Sequence, residues 1–327
     1  MVQKLFHGLF KIDVPLPRNP LKSLNVYLFK SKQRNLIIDT GMNRPECMHA
    51  MLSGLRELDI DLHDTDFLIT HMHADHSGLI SSLVTSSSRI YCSERDAGYI
   101  NASAKKDYWQ GMSIFAQTGG FPEKDLQEAI NKHPGNRYSS EGCLNFTYVK
   151  EKDNIKIGDY FFYCVETPGH TKGHICLYEP EKKLFVAGDH ILDDITPNIS
   201  LIKDREDENP LDDYINSLDK VYEYDVRIVL PGHRAIFSNY KERINQLKQH
   251  HLKRTDEVFS ILSTGGWKSA YEIASLMKWD LSDSFIKFPV SQKWFATGEA
   301  LAHLKYLERK GMVNKKWIDS CFRYSRK

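Results

Sequence analysis

The chain has no run of about 18 consecutive apolar residues, so a membrane-spanning helix is not expected. Its first residues, MVQKLFHGLFKIDVPLP, lack a long apolar core followed by a small-residue cleavage site, which argues against a secretory leader. The six cysteines (Cys47, Cys92, Cys143, Cys164, Cys176 and Cys321) are scattered, with no C-x-x-C pair. They read as reduced thiols of a cytoplasmic protein, not as a disulfide framework. No internal repeat and no low-complexity tract is present. Strong net charge is also missing, at +1 over 327 residues. What remains, 41% hydrophobic and 27% charged residues, is ordinary for a soluble globular protein. The length admits one large domain, or a large one with a small partner.

The charge is unevenly spread. Residues 241–327 hold 17 Lys or Arg against 9 Asp or Glu, a balance of +8 that leaves −7 for residues 1–240. The asymmetry suggests two units with different surfaces. Nucleic acid is one partner a basic end admits, and a solvated basic face is the plainer reading.

Apolar runs and alternations predict strands at KLFHGLFKIDV, LNVYLF, NLIID, DFLIT, RIYCSE, LNFTYV, YFFYCVE, HICLYE, KLFVAG and VRIVLPG. A helix is expected over 44–58, with Pro45 in its first turn. Residues 97–140 read as a helical insertion. Tyr108, Met112 and Phe115 are spaced along one helix face with Trp109 beside it, and Pro122 opens a second helix. A cap over a pocket and a completion of the core both fit this segment. After residue 240 the texture turns helical, over 240–263, SAYEIASLM and TGEALAHLKYLERKG, and then a terminal hairpin. Three helices and a hairpin are the pattern of a winged helix. Such a unit also often serves as a docking surface, so a homo-oligomer is possible.

The chemistry concentrates in THMHADHSGL, residues 70–79, which packs His71, His73, Asp75 and His76 into six positions. His71 and His73, two apart on an extended loop, aim to one side. Asp75 and His76 begin a helix, DHSGLISSLV, where an acid suits the helix dipole. Three further donors each follow an apolar strand: His170 after FFYCVETPG, Asp189 after KLFVAG and His233 after RIVLPG. Strand-end loops on a rigid sheet are where reactive groups usually sit. Seven nitrogen and oxygen donors, if they converge, can hold two divalent cations; zinc fits, and iron or manganese is compatible. The remaining histidines, His7, His49, His63, His133, His250, His251 and His303, read as surface or core side chains. His174 and His190, beside candidate ligands, read as structural, and Asp39 in IIDTG as a group that orients a histidine ring.

HMHADH followed by His170, Asp189 and His233 resembles the metallo-β-lactamase superfamily over about residues 1–240. The resemblance implies an α+β fold, the four-layer αβ/βα sandwich, to which the helix-and-hairpin pattern adds a winged-helix-like domain over 241–327. It implies one metal on His71, His73 and His170, a second on Asp75, His76 and His233, and Asp189 between them. Class B β-lactamases usually carry a cysteine near the place of Asp189, so this chain is more similar to the glyoxalase II-like branch. The basic glutathione-binding pattern of glyoxalase II is absent, which disfavours glutathione thioesters but not thioesters in general. TPGHTKGHICLYEPEKKLFVAGDHIL resembles a broad branch of hydrolases, some with a C-terminal winged helix, including relatives of an endoribonuclease-like protein.

The expected activity is hydrolysis of a small ester, thioester or lactone by a hydroxide held on the metals, whose charge lowers the pKa of water from about 15.7 towards 7. Asp75 is the expected catalytic group that orients the attacking oxygen or accepts its proton. Phosphodiester or RNA cleavage is the alternative, and a nucleic-acid-binding regulator a third. Glu299 and Glu308 on the expected recognition helix would repel phosphates and disfavour the alternative, and the intact set of seven donors disfavours the regulator, since sensing needs no activated water.

Overall fold

The computed structural model describes residues 1–203, 205–280 and 283–327. A first sheet runs in sequence order through β1 (Val2–Phe6), β2 (Leu9–Pro15), β3 (Ser23–Phe29), β4 (Asn35–Ile38), β5 (Thr65–Leu68), β6 (Ile90–Cys92) and β7 (Thr147–Tyr148). It is antiparallel up to β4 and parallel beyond. A second sheet has β8 (Asn154–Ile157), β9 (Tyr160–Glu166), β10 (Ile175–Glu179), β11 (Leu184–Gly188) and β12 (Ile228–Pro231) side by side. β11 and β12 are parallel, so their C-terminal ends open on the same edge.

The apolar runs in β3, β4, β5 and β11 are buried because both faces of those strands are covered. Between the sheets lie Tyr27, Phe29, Ile38 and Leu68 from the first and Phe162, Leu177, Val186 and Leu230 from the second. On the outer face of the first sheet pack Met51 and Leu55 of α1 (Pro45–Glu57), together with Leu79, Leu83 and Ile100. The outer face of the second carries Leu211, Tyr214 and Leu218 of α8 (Pro210–Tyr222) and Ile244 and Leu247 of α9 (Tyr240–Ser263). The result is the expected helix–sheet–sheet–helix stack.

Local differences from the sequence reading have local causes. The helix expected from Asp75 onward is two single turns, α2 (Ala74–Ser77) and α3 (Ile80–Leu83). The Thr40 amide and hydroxyl bind the His76 carbonyl at 2.7 and 2.8 Å, and the Gly41 carbonyl takes the Leu79 amide at 2.9 Å. Groups that would have continued the helix are thereby engaged elsewhere. The insertion begins earlier than expected, because Ser93 caps α4 (Glu94–Ser103) by accepting from the Asp96 amide. It continues through α5 (Lys106–Thr118), α6 (Glu123–Lys132) and α7 (Pro134–Arg137). Helix α8 and strand β8 were not anticipated, although Pro210 in a first turn and the alternating burial of NIKI both mark them.

The C-terminal region follows the order α9, β13 (Lys268–Ser269), α10 (Ala270–Leu276), α11 (Val290–Arg309), β14 (Val313–Ile318), β15 (Cys321–Arg326). The three strands form a small sheet with β15 in the middle. Ser269 opens α10 with a reciprocal capping box to Glu272. Ala300, Leu304 and Leu307 of α11 belong to the same continuous core as α8 and the second sheet.

Candidate metal centre and cavity

All seven sequence-predicted donors meet at one edge of the sandwich. The donor atoms form three interlocking triads, each with its members within 4.8 Å of one another: His71, His73 and His170; His71, His76 and Asp189; Asp75, His76 and His233. His71 and His76 each serve two triads. Asp189 lies between the groups, with one oxygen 3.4 Å from His76 Nε2 and the other 3.6 Å from both His170 and His233 Nε2.

The imidazoles are held from behind. His76 Nδ1 meets Asp39 at 2.8 Å, His170 Nδ1 the Asn198 carbonyl at 2.8 Å, and His233 Nδ1 the Ser23 carbonyl at 2.7 Å. With those nitrogens donating, each Nε2 keeps a lone pair aimed inward. The Thr70 hydroxyl donates to Asp39 at 2.9 Å, and its oxygen faces His71 Nδ1 at 3.0 Å. Asp39 therefore steadies donors on both sides of the cluster, the orienting role expected for it. Its other oxygen accepts from the Thr70 amide at 2.8 Å.

His174 is a support, as expected: its Nε2 accepts the Asp189 amide at 3.1 Å and its Nδ1 meets Thr167 at 2.8 Å. The approach leaves no room for side chains on the flanking backbone. A Cβ at Gly188, whose φ is +48°, would stand 2.7 Å from His174 Nε2, and one at Gly232 would stand 2.7 Å from an Asp189 oxygen.

Two positioning groups were not foreseen. Asp96 is fully buried and accepts from the Met72 amide at 2.9 Å, the Thr171 hydroxyl at 2.6 Å and the Gly173 amide at 2.9 Å. It thus ties the loop of His71 and His73 to the turn that carries His170. Burial pushes its carboxyl up to about 6, against the pull of those donors. Glu299 of α11 accepts from the Asn198 side chain at 3.3 Å and from Arg254 of α9 at 3.3 Å. Through Asn198 the C-terminal helices reach the back of His170. These contacts join distant segments, and no local sequence pattern announces them.

Burial and neighbouring imidazoles push His71 well below the usual histidine range, and burial with His170 beside it pushes His73 down to about 3. Neutral rings are what cation binding needs. Burial would do the same to His76, but Asp189 and Asp39 outweigh it and raise that group. His170 Nε2 and one Asp189 oxygen are buried without a hydrogen-bond partner. Buried polar atoms are rarely left so. The donor set, the orphaned atoms and the rings fixed from outside fit divalent cations.

The cluster forms the floor of a cavity of about 640 Å³. Its walls include the 193–202 loop, α5 and α11. Tyr108, Trp109, Met112 and Phe115 of α5 all face it, so the insertion covers the cavity and also joins the core.

A buried cage of imidazoles and carboxylates at the edge of an αβ/βα sandwich defines a metallohydrolase. Residues 20–233 match the family described as the metallo-beta-lactamase superfamily, and the chain belongs to that superfamily of hydrolases. It is 24% identical to the beta-lactamase-like protein 2 homolog of Caenorhabditis elegans, over 97% of this chain and 92% of the relative. It is 26% identical to the human acyl-coenzyme A thioesterase MBLAC2, over 70% of this chain and 79% of that protein. It is also 26% identical to an atrochrysone carboxyl ACP thioesterase of Aspergillus fumigatus, over 77% of this chain and 67% of that protein. Among solved structures, the metallo-beta-lactamase family protein TTHA1429 from Thermus thermophilus matches with a TM-score of 0.79 and 27% identity, covering 99% of this chain and all of that one. No helix among the described residues is long and apolar enough to cross a membrane.

Proposed function

We propose that this chain is a dinuclear metallohydrolase of acyl thioesters. The observation that carries the reading is the set of three interlocking donor triads with Asp189 between them, at the floor of a large cavity. In this reading His71, His73 and His170 hold one divalent cation, Asp75, His76 and His233 the other, and Asp189 spans both. The donors are nitrogen and oxygen only, which suits zinc and also iron or manganese. The cation pair, when bound, lowers the pKa of water towards neutrality and polarises a carbonyl oxygen.

Asp75 lines the cavity, and its Oδ2 stands 3.3 Å from His233 Nε2. In this reading it orients the attacking water and accepts its proton. As the water oxygen bonds to the acyl carbon, the C–S bond breaks, and the products are a carboxylic acid and a thiol. Cys176, the cysteine behind His174, is fully buried, and burial pushes its thiol up to about 12, so it is no nucleophile. The thioesterases among the relatives favour a thioester over a simple ester or lactone.

Residues 241–327 are read as a winged-helix-like unit, on the order helix, strand, helix, helix, strand, strand. Its would-be recognition helix, α11, is committed to the interior. Trp294, Phe295 and Leu301 line the cavity, and Ala300 and Leu304 enter the core. That placement disfavours RNA or DNA as the partner and favours a small-molecule substrate.

Elemental analysis of the purified protein and a panel of thioesters, lactones and phosphodiesters test the reading. Thioester turnover that is lost to a chelator and restored by metal is expected, and His73→Ala loses both metal and turnover. Turnover that survives His73→Ala, or none from metal-loaded protein, overturns it.

A further inference from the structure

The cavity extends well past the metal cluster, and its far part uses nothing that the hydrolytic step requires. One end holds His73, Asp75, His170 and Asp189. The other is enclosed by two elements outside the sandwich, the insertion and α11, which pack on each other. Ala116, Phe121, Leu126 and Ala129 of the insertion form a small core with Tyr271, Val290 and Trp294 of the C-terminal region. The wall facing the space between them is mainly apolar, with Trp109, Met112, Phe115, Phe121, Trp294 and Leu301, and carries Tyr108, His133, Gln292 and Thr297 as its polar members. The polar edge of Trp109 is already satisfied, since its Nε1 donates to the Ser103 carbonyl at 2.8 Å. Its exposed surface is therefore hydrocarbon in character.

The rings of this wall meet one another at steep angles. Phe121 and Trp294 are 5.6 Å apart at 65°, Tyr108 and Trp109 5.1 Å apart at 87°, and Trp109 and His133 4.9 Å apart at 51°. Among these pairs no two faces stand parallel and separated, as a sandwich for a flat aromatic group would require. Methionine, which adapts its shape to its neighbours, stands in the middle at Met112. The volume is that of a site for a ligand larger than an acetyl group.

We infer that the space between α5 and α11 is an acyl-chain subsite, which takes the flexible aliphatic tail of a thioester whose carbonyl lies over the donor cluster. The inference rests on the thioester reading and adds the part of the substrate that sets specificity. The thiol half, a pantetheine arm, points out through the mouth, where Arg18 and Arg137 are exposed. The same arm occurs in coenzyme A and on acyl carrier proteins, and the site addresses the chemistry the two share.

The test is a chain-length series of straight-chain acyl thioesters from acetyl to decanoyl, with benzoyl as a flat comparison. Each is presented as the pantetheine thioester, as the coenzyme A thioester and on an acyl carrier protein, to the metal-loaded protein. The expected result is a rise in kcat/KM of about fourfold per added methylene until the cavity fills, the factor that burying one such group yields. Met112→Trp, which fills the space, lowers the decanoyl-to-acetyl ratio at least tenfold, and Met112→Ala moves the optimum to a longer chain. Metal content and thermal melting of both variants establish that they are folded and loaded. A flat profile, a preference for benzoyl, or ratios unmoved in both variants overturns the subsite while thioester hydrolysis stands. An absence of turnover with every acyl length in every carrier overturns the thioester reading itself. A similar profile in all three carriers assigns recognition to the acyl chain and the arm, and a rise only on the carrier protein overturns the chain as the determinant.

Discussion

Replacing Asp96 by asparagine probes how the two ligand loops are held together. The carboxylate has no contact with solvent and accepts three hydrogen bonds of 2.6–2.9 Å, from Met72, Thr171 and Gly173. Asparagine is nearly isosteric but keeps only one accepting oxygen. If that oxygen stays with Met72 and Thr171, the amide NH₂ confronts the Gly173 N–H, and a buried donor is left unpaired. A charge-assisted hydrogen bond is worth about 1.5–3 kcal/mol, and an orphaned buried donor costs about 1–3 kcal/mol. A destabilisation of about 3 kcal/mol is therefore expected. It would be measured by urea unfolding of the metal-free protein at pH 8, where a carboxyl pushed to about 6 is ionised. Because the bonds join the His71–His73 loop to the His170 turn, metal affinity should also fall, by 10- to 100-fold, as for other groups that orient ligands. Competition with a chromophoric chelator reads this directly. Unfolding within 1 kcal/mol of wild type together with affinity within twofold would refute the role assigned to Asp96.

Two further outcomes follow from the same kind of accounting. Glu299→Gln loosens the link from Arg254 to Asn198 and, through it, His170; divalent-metal affinity should fall several-fold on the reading proposed above, and the unfolding midpoint should fall as Arg254 loses a charged partner, whereas wild-type affinity would contradict the link. For pH, His190, beside Asp189, and His251, in the helical core, are both buried, and burial lowers each to about 3. Their folded values lie below the unfolded value near 6.5, so the stability they contribute is present above pH 6.5 and is lost as pH falls towards 3. By pH 4 the loss is about 3 kcal/mol for each. The urea midpoint should fall below pH 6.5 even in metal-loaded protein, less steeply in His251→Leu, and an unchanged slope in that variant would count against it.

How much of this was legible in the sequence depends on how local each signal is. The donors announced themselves because metal chemistry demands crowding at 71–76 and strand-end placement at 170, 189 and 233. Asp39 was readable for the same reason, as an acid closing an apolar strand. Asp96 and Glu299 were not, since their partners stand 24 to 101 residues away in the chain. The broken helix after His73 was equally hidden: what divides it is the Thr40–Gly41 turn, contributed by another strand. The covering role of the insertion became decidable only when α11 was seen on its other side.

The continuous core behind the second sheet constrains how this architecture can change. Helices α8, α9 and α11 share one body of buried side chains with the sheet, so the C-terminal stretch is not a cassette that recombination could graft onto another sandwich intact. A chain stopped at residue 240 would turn Leu211, Leu218 and Val229 towards water and would unroof the metal cluster at the same stroke. A single substitution along the roof, by contrast, can alter what fits beneath without disturbing what holds the two halves together.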